Sequence, residues 1–326
     1  MERLFTYYSH SGTMKIAYFA YEHIHPGHLL WLYVLGRNAN TSLIYVNRSM
    51  IYDIIDRGRY DVGISEGLKS TSYALLLKTM LKIRRLYMVA LSPAIISWKF
   101  LTLSKLVDGI IAVSSLVKSV IREYEYEGPI YVLHPSPPDL AEFLLIKPNL
   151  KEPNICFIGA PIYVKGFDRL PSLIKRVRNS IPQARLIVIG GELNSEGVMS
   201  FGWVSRRELK KLLSMCSVYV HPARFDASPI SVLEAMAAGI VPVVTPATGM
   251  SGIVSKVDPS LVVRFDEMPN RVVELLKSDL SALSKRCKIK AIEHHYNVIR
   301  EVYSFFNEIL RVSENEGGIS DDRTDF

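Results

Sequence analysis

The sequence predicts an α/β protein of two tandem domains, each a parallel sheet with helices on both faces. Short β-branched runs alternate with helix-like segments, as in βαβ units whose strands are buried on both sides. The alternation breaks at 134–154, where HPSPPD and KPNLKEPN concentrate proline and asparagine as connectors do, and then restarts. At 326 residues the chain is long enough for two substantial cores.

In the first half, strands are expected at KIAYFA (15–20), SLIYVN (42–47), YDVGIS (60–65), LYMVAL (86–91), GIIAVS (109–114) and PIYVLH (129–134). Helices are expected near 27–38, 49–58, 70–84, 98–107 and 115–124. In the second half, strands are expected at NICFIG (154–159), ARLIVIGG (184–191), SVYVHP (217–222), IVPVVT (240–245) and LVVRF (261–265). Helices are expected over 167–180, 205–214, 229–238, 268–278 and about 282–311. The expected division is an extension over 1–13, a first domain over 14–138, a linker over 139–153 and a second domain over 154–280. A helix over 281–312 then crosses back to the first domain, and an acidic disordered tail occupies 313–326. No internal repeat of 20–50 residues is present. Such sheets bind ligands beyond the carboxyl ends of their strands, so a cleft between two facing domains is the expected site.

Composition narrows the function. Hydrophobic content of 48% and charged content of 22% are ordinary for a globular protein. No apolar run is long enough for a transmembrane helix, and the N-terminus lacks a signal-peptide core, so a cytoplasmic location is expected. Cys156, Cys216 and Cys287 lie far apart without CxxC spacing, which suits reduced packed thiols and no metal framework. Net charge is +7; the tail after Val312 carries −4, leaving +11 on the rest. A basic body attracts phosphates, anionic lipid or nucleic acid. No nucleic-acid signature accompanies it, so small phosphorylated ligands are favoured. LLLKTMLKIRRLY (75–87), with Lys78, Lys82, Arg84 and Arg85, reads either as a helix face touching anionic membrane or as an ordinary helix with a basic outer face. Peripheral contact at the inner membrane surface is therefore a further expectation.

The most informative stretch is RFDASPISVLEAMAAGIVPVVTPATG (224–249). Ser228 suits an N-cap, Pro229 the first helical position, and Gly239 a helix stop. The helix start at Ser228, Pro229 and Ile230 offers free N–H groups and partial positive charge to an anion. Asp226 follows a strand and points toward its carboxyl end; Glu234 lies about one and a half turns inside the helix. Two carboxylates flanking a phosphate-accepting helix end suit a ligand with a central diphosphate and hydroxyl-rich ends. A nucleotide sugar has that shape.

These residues resemble the E-x7-E region of retaining glycosyltransferases of family 4, which have the GT-B fold of two Rossmann-like domains facing across a cleft. Asp226 stands where Glu is commoner. The resemblance implies that Asp226 contacts donor sugar hydroxyls and Glu234 the nucleotide ribose. FIGAPIYVKGFDRL (157–170) is similar to the start of the family's donor domain, and Lys165 with Gly166 matches its diphosphate-binding lysine. The family's arginine after the strand glycine is missing: Gly159 is followed by Ala160 and Pro161, which removes one phosphate cation. Gly190 and Gly191 in GGEL, and Gly202 in SFGWVSRREL, resemble the loops around the nucleotide base. Thr248 and Gly249 in TPATG resemble a loop near the donor phosphates, and His221 suits either the core or the cleft.

The first half resembles the family more weakly, chiefly in LVDGIIAVSSLVKSVIREY (106–124). Where members often carry a histidine after a mid-domain strand, this chain has Ser92 and Pro93. The acceptor or cleft candidates are His25 and Gly27, with His23 and His28 beside them, Glu66 and Ser92. Glu66 also suits a helix-capping role. H-x-H-x-x-H at 23–28 lacks a completing ligand, so no metal is expected. The resemblance implies metal-independent hexosyl transfer from a UDP- or GDP-sugar to an acceptor hydroxyl with retention, needing no cofactor. The acceptor is a glycan, a lipid-linked saccharide or a small molecule. A sugar-nucleotide epimerase of the same fold and a non-catalytic nucleotide-sugar-binding partner stay open. A nicotinamide oxidoreductase is disfavoured because no GxGxxG follows KIAYFA or NICFIG.

Overall fold

The computed structural model describes residues 14–46, 58–91 and 97–317, with side chains as far as 311. It divides into a first unit, up to Pro135 and from Asn297 onward, and a second unit, Ser136–Tyr296.

The first unit holds β1 (Lys15–Ala20), α1 (Leu29–Asn38), β2 (Asn40–Tyr45), β3 (Tyr60–Glu66), α2 (Gly67–Thr79) and β4 (Ile83–Ala90). Then come α3 (Trp98–Ser104), β5 (Gly109–Ala112), α4 (Ser115–Glu123) and β6 (Ile130–Val132). The sheet order is β2-β1-β3-β4-β5-β6 with every pair parallel. The chain leaves β1 toward one edge and later builds toward the other, so the switch point lies between β1 and β3. Ile16, Ala17, Tyr18, Phe19 and Ala20 are all fully buried, the continuous run expected of a strand covered on both faces.

The second unit holds α5 (Leu140–Leu144), β7 (Asn154–Ile158), α6 (Leu170–Arg178), β8 (Arg185–Ile189), β9 (Val198–Phe201) and α7 (Arg206–Ser214). It continues with β10 (Val218–His221), α8 (Ile230–Ala238), β11 (Val241–Val244), α9 (Ser251–Val257) and α10 (Met268–Leu276). Its order is β11-β10-β7-β8-β9, again all parallel, with the switch between β7 and β10. Ser231 to Ala238 of α8 are all buried, and Ala235, Ala237 and Ala238 fully so, because small side chains let the helix lie close to the sheet. Gly239 ends α8 in the left-handed region (φ 82°), where a Cβ would also meet Ser284 and Lys288 at 2.7 Å. The last helix, α11 (Ser281–Gly317), passes from the second unit into the first. Within the first unit Phe305 packs edge-on against Tyr87 and Tyr131, and Glu301 accepts from the His134 backbone N–H at 2.9 Å.

Several expectations need correction. LVVRF (261–265) is no strand. Asp258 caps a 3-10 turn over Pro259–Leu261, and only one bridge, Val244 to Val262, joins the segment to the sheet. The segment 139–153 carries α5, which packs on α8. The short elements β9 and α9 were not anticipated; β9 has four half-buried residues behind Gly197, too few to show a period. Residues 75–87 are not one basic helix: α2 ends at Thr79, Leu81 takes φ 57°, and β4 begins at Ile83. Lys78 pairs with Asp108 at 2.5 Å. Residues 313–317 of the acidic tail continue α11. The extension 1–13, residues 49–57 of the helix expected over 49–58 and residues 318–326 lie outside the described residues. Among the described residues no helix is long and apolar enough to cross a membrane, and all three cysteines are free and buried.

Candidate active site

The carboxyl ends of β7 and β10 flank the switch point of the second sheet, and the two strongest sequence candidates meet there. After β7 the chain makes a 3-10 turn, Tyr163–Lys165, closed by Gly166. Gly166 needs φ 72°, and a Cβ there would stand 2.1 Å from the Pro222 carbonyl oxygen, so only glycine fits. That close approach seats the turn against the segment after β10. Lys165 Nζ lies 3.3 Å from Asp226 Oδ2. The Asp226 backbone is fixed as well: its N–H donates to Ala247 O (3.0 Å) and its carbonyl accepts from Gly249 N (2.8 Å). Thr248 bridges to Asp226 in parallel register.

His221 is fully buried, and its Nε2 stands 3.0 Å from Asp226 Oδ2. Its Nδ1 lies 3.0 Å from the Tyr219 hydroxyl, which lies 2.9 Å from Ser231 Oγ. His221 Nε2–H donates to the Asp226 carboxylate, and Nδ1, the Tyr219 hydroxyl and Ser231 Oγ continue the chain of hydrogen bonds behind it. Tyr219 and His221 share a face of β10 by the two-residue repeat, and Ser231 is the second residue of α8. Burial alone would raise the Asp226 pKa. The His221 hydrogen bond and charge, followed by Lys165, outweigh it and hold the carboxyl below its ordinary value. Asp226 is thus an ionised acceptor, oriented from behind and partly open, with its side chain 12% exposed.

The glycine loops gather beside it. Gly190 takes φ 101°, and a Cβ there would meet Gly159 O at 2.7 Å; its N–H donates to Phe201 O and Gly202 O. A Cβ on Gly159 would reach Lys165 Cδ at 3.3 Å, and one on Gly191 would reach Pro161 at 2.9 Å. So Gly159, Lys165, Gly190, Gly191, Gly202, Asp226, Thr248 and Gly249 form one neighbourhood.

The start of α8 differs from expectation. Pro229 (ψ 109°), not Ser228, occupies the N-cap, and the helix begins at Ile230. The extended proline shifts the start by one residue, so Ser228 Oγ meets no first-turn N–H. It is buried without a hydrogen-bond partner. The first-turn N–H groups after Pro229 lack intrahelical acceptors by construction.

Glu234 is buried, and its Oε1 lies 2.5 Å from Arg206. Arg206 also holds Asp139 at 2.5 and 3.1 Å and stacks over Phe143 at 4.7 Å. Burial raises the Glu234 pKa above its usual value, and the Arg206 charge only partly offsets this. Sequence reasoning missed Arg206, Asp139 and the relay through Tyr219. The one local signal was the Ser205–Glu208 capping box, which fixes Arg206 at the first position of α7.

In the first unit Glu66 sits at the end of β3, beside its own switch point. Its Oε1 accepts from Tyr18 (2.7 Å) and from His28 Nδ1 (2.6 Å), and its Oε2 from the His25 backbone N–H (3.3 Å). Its carboxylate makes no cap to α2, which corrects the capping expectation. Burial would raise its pKa, but His28 and then Tyr18 hold it below the ordinary value. His25 Nδ1 accepts from Gly27 N, the His28 ring stacks on Trp31 at 3.9 Å, and His28 Nε2 is buried without a partner. Ser92 lies outside the described residues.

Residues 145–294 match the family described as glycosyl transferases, group 1. This group 1 region contains β7 to β11 and both acids of 224–249. Two solved structures show the same fold. Sucrose-phosphate synthase from Thermosynechococcus elongatus superposes with TM-score 0.70 at 14% identity, covering 92% of this chain and 100% of that one. Anabaena HepE in complex with UDP and glucose gives TM-score 0.69 at 13% identity, covering 90% and 100%. The expected GT-B class of fold, two parallel-sheet α/β domains, is the one observed. An uncharacterized 41.2 kDa protein in the cps region of Klebsiella pneumoniae is 25% identical over 132 residues. That match covers 38% of this chain and 36% of the relative.

Proposed function

We propose that this chain is a retaining hexosyltransferase of glycosyltransferase family 4, moving a sugar from a nucleotide diphosphate donor to an acceptor hydroxyl. The observation that carries this reading is the meeting of Lys165 and Asp226 at the switch point of the second sheet, beside a helix start whose Ser228 Oγ has no partner. Lys165, the first amides of α8 and Ser228 Oγ would hold the diphosphate, and Asp226 would accept hydrogen bonds from the sugar. Charge on the leaving diphosphate is met by fixed donors, the kind of preorganised electrostatics that commonly contributes most to catalysis. The bond from the anomeric carbon to the phosphate oxygen breaks, the bond to the acceptor oxygen forms on the same face, and the leaving phosphate oxygen takes the acceptor proton. No metal or other cofactor enters this scheme. The UDP in the HepE structure favours a uridine donor over a guanosine one. The acceptor is a glycan, a lipid-linked saccharide or a small molecule, met in the cytoplasm or at the inner membrane surface.

Ala160 and Pro161 after Gly159 favour one second reading, a nucleotide-sugar binder with little or no turnover. A thermal-shift screen against UDP-, GDP- and ADP-sugars tests the first step of both readings. One donor class is expected to raise Tm, since ligand at about 100 times its Kd adds about 2.7 kcal/mol. No shift with any donor contradicts both. A shift without transfer or slow donor hydrolysis selects the second reading, and a changed sugar configuration without acceptor selects an epimerase.

A further inference from the structure

An open depression of about 660 Å³ on the second unit is lined by Arg169, Arg224 and Arg264, with Phe265, Asp266 and Ala247 among the other walls. Its lining includes neither Lys165 nor Asp226, and its volume is that of a small-ligand site. We propose that this depression binds a phosphate-bearing anion, at a place separate from the Lys165–Asp226 site.

Two of the three guanidinium groups are held in place before any ligand arrives. Arg169 stacks over Phe265 at 4.6 Å and donates one N–H to Pro222 O at 2.8 Å. Arg224 stacks over Tyr163 at 3.5 Å and is clamped by Asp168 at 2.7 and 2.8 Å. Stacked guanidinium groups lose little freedom on binding. Asp168 and the Tyr163 carbonyl occupy the Arg224 fork, so Arg224 supplies chiefly charge, and Arg169 and Arg264 the N–H groups for phosphate oxygens. Arg264 reaches Asp266 at only 3.2 and 3.3 Å. Arg176 donates to the Asp266 carbonyl at the edge.

The cations also crowd one another. Burial, and then the charge of Arg224, lower the Arg169 pKa, while Asp168 and Tyr163 partly offset this. The facing acids, Asp168 and Asp266, have side chains 46% and 64% exposed, so water screens them. An anion among the three arginines relieves this repulsion. The wall has a second role: Ala247 O accepts the Asp226 N–H, so a ligand here lies one backbone segment from Asp226.

The test titrates inorganic phosphate and pyrophosphate into the full chain by calorimetry, using wild type, Arg264→Ala, Arg169→Gln and Lys165→Ala. Wild type is expected to bind. Arg264→Ala and Arg169→Gln are each expected to weaken binding about fivefold or more, as loss of a charge-assisted contact at a partly exposed site should. Lys165→Ala is expected to retain the component of binding that Arg264→Ala weakens, and to lose only what pyrophosphate gains at the Lys165–Asp226 site. Arg264 is 75% exposed, so its replacement leaves folding intact and decides the matter if Arg169→Gln fails to fold. Absence of binding in wild type, undiminished binding in Arg264→Ala, or loss confined to Lys165→Ala would each overturn the proposal. Flotation with phosphatidylglycerol vesicles, against phosphatidylcholine, separates sources. Vesicle binding lost in Arg264→Ala identifies a lipid headgroup, and phosphate binding without flotation identifies a soluble phosphate.

Discussion

Asp226→Asn is expected to lower sugar transfer about 10²–10³-fold, the loss typical when one preorganised polar contact to a reacting group is removed. Nucleotide affinity should change little, because the variant keeps Lys165, the start of α8 and the glycine loops. The asparagine is isosteric, so His221 and the backbone bonds to Ala247 and Gly249 keep their geometry. What disappears is the negative charge set between His221 and Lys165. The pH profile gives an independent check. The wild-type Asp226 carboxyl is held below its ordinary value, so it is ionised through the neutral range. Its contribution is lost only as pH falls through that lowered value, so any acid limb from Asp226 should lie below the usual aspartate range of about 3.9. Transfer at the wild-type rate in Asp226→Asn refutes the assignment.

Arg206→Met is expected to destabilise the protein by about 1–3 kcal/mol at pH 7, measured by urea unfolding. Removing the partner of a buried charge leaves that charge uncompensated, and for fully buried pairs this costs about 3–5 kcal/mol. Here Glu234 is buried but the Arg206 side chain is 46% exposed, so solvent already screens the pair and the lower figure applies. The pH dependence has a definite sign. The Glu234 pKa is raised in the folded protein, and loss of Arg206 raises it further. The folded variant then binds a proton more tightly than the unfolded chain, so its deficit shrinks as pH falls from 7 toward 5. The double variant Arg206→Met, Glu234→Gln should recover most of the loss. Equal stability of Arg206→Met and wild type at both pH values would show that the ion pair contributes nothing.

The sequence was most readable where local rules act alone. Continuous apolar runs placed the long strands, and Gly239 marked the end of α8 because only glycine takes its backbone angle without strain. Asp226 could be singled out because it follows a strand and so sits at its carboxyl end, and Lys165 because it matches the lysine of the family it resembles. Arg206 was unreadable: its partners Asp139 and Glu234 lie 67 and 28 residues away, and nothing local announces a pairing across that span. The relay behind Asp226 was half visible, since alternation in β10 puts Tyr219 and His221 on one face, but Ser231 joins only once α8 is packed. LVVRF failed for the opposite reason. Its β-branched composition suits a strand, yet the capped turn at Asp258 leaves a single bridge to β11.

Calorimetric titration of UDP-glucose into wild type and Lys165→Ala tests the central claim most directly, that the strand ends around Lys165 and Asp226 hold a nucleotide sugar. GDP- and ADP-glucose are run as parallel arms. The account predicts one donor bound at one site per chain, with affinity at least about tenfold weaker in Lys165→Ala, as expected for loss of a charge-assisted phosphate contact. Equal affinity in the two proteins, or no binding of any donor to wild type, would contradict it.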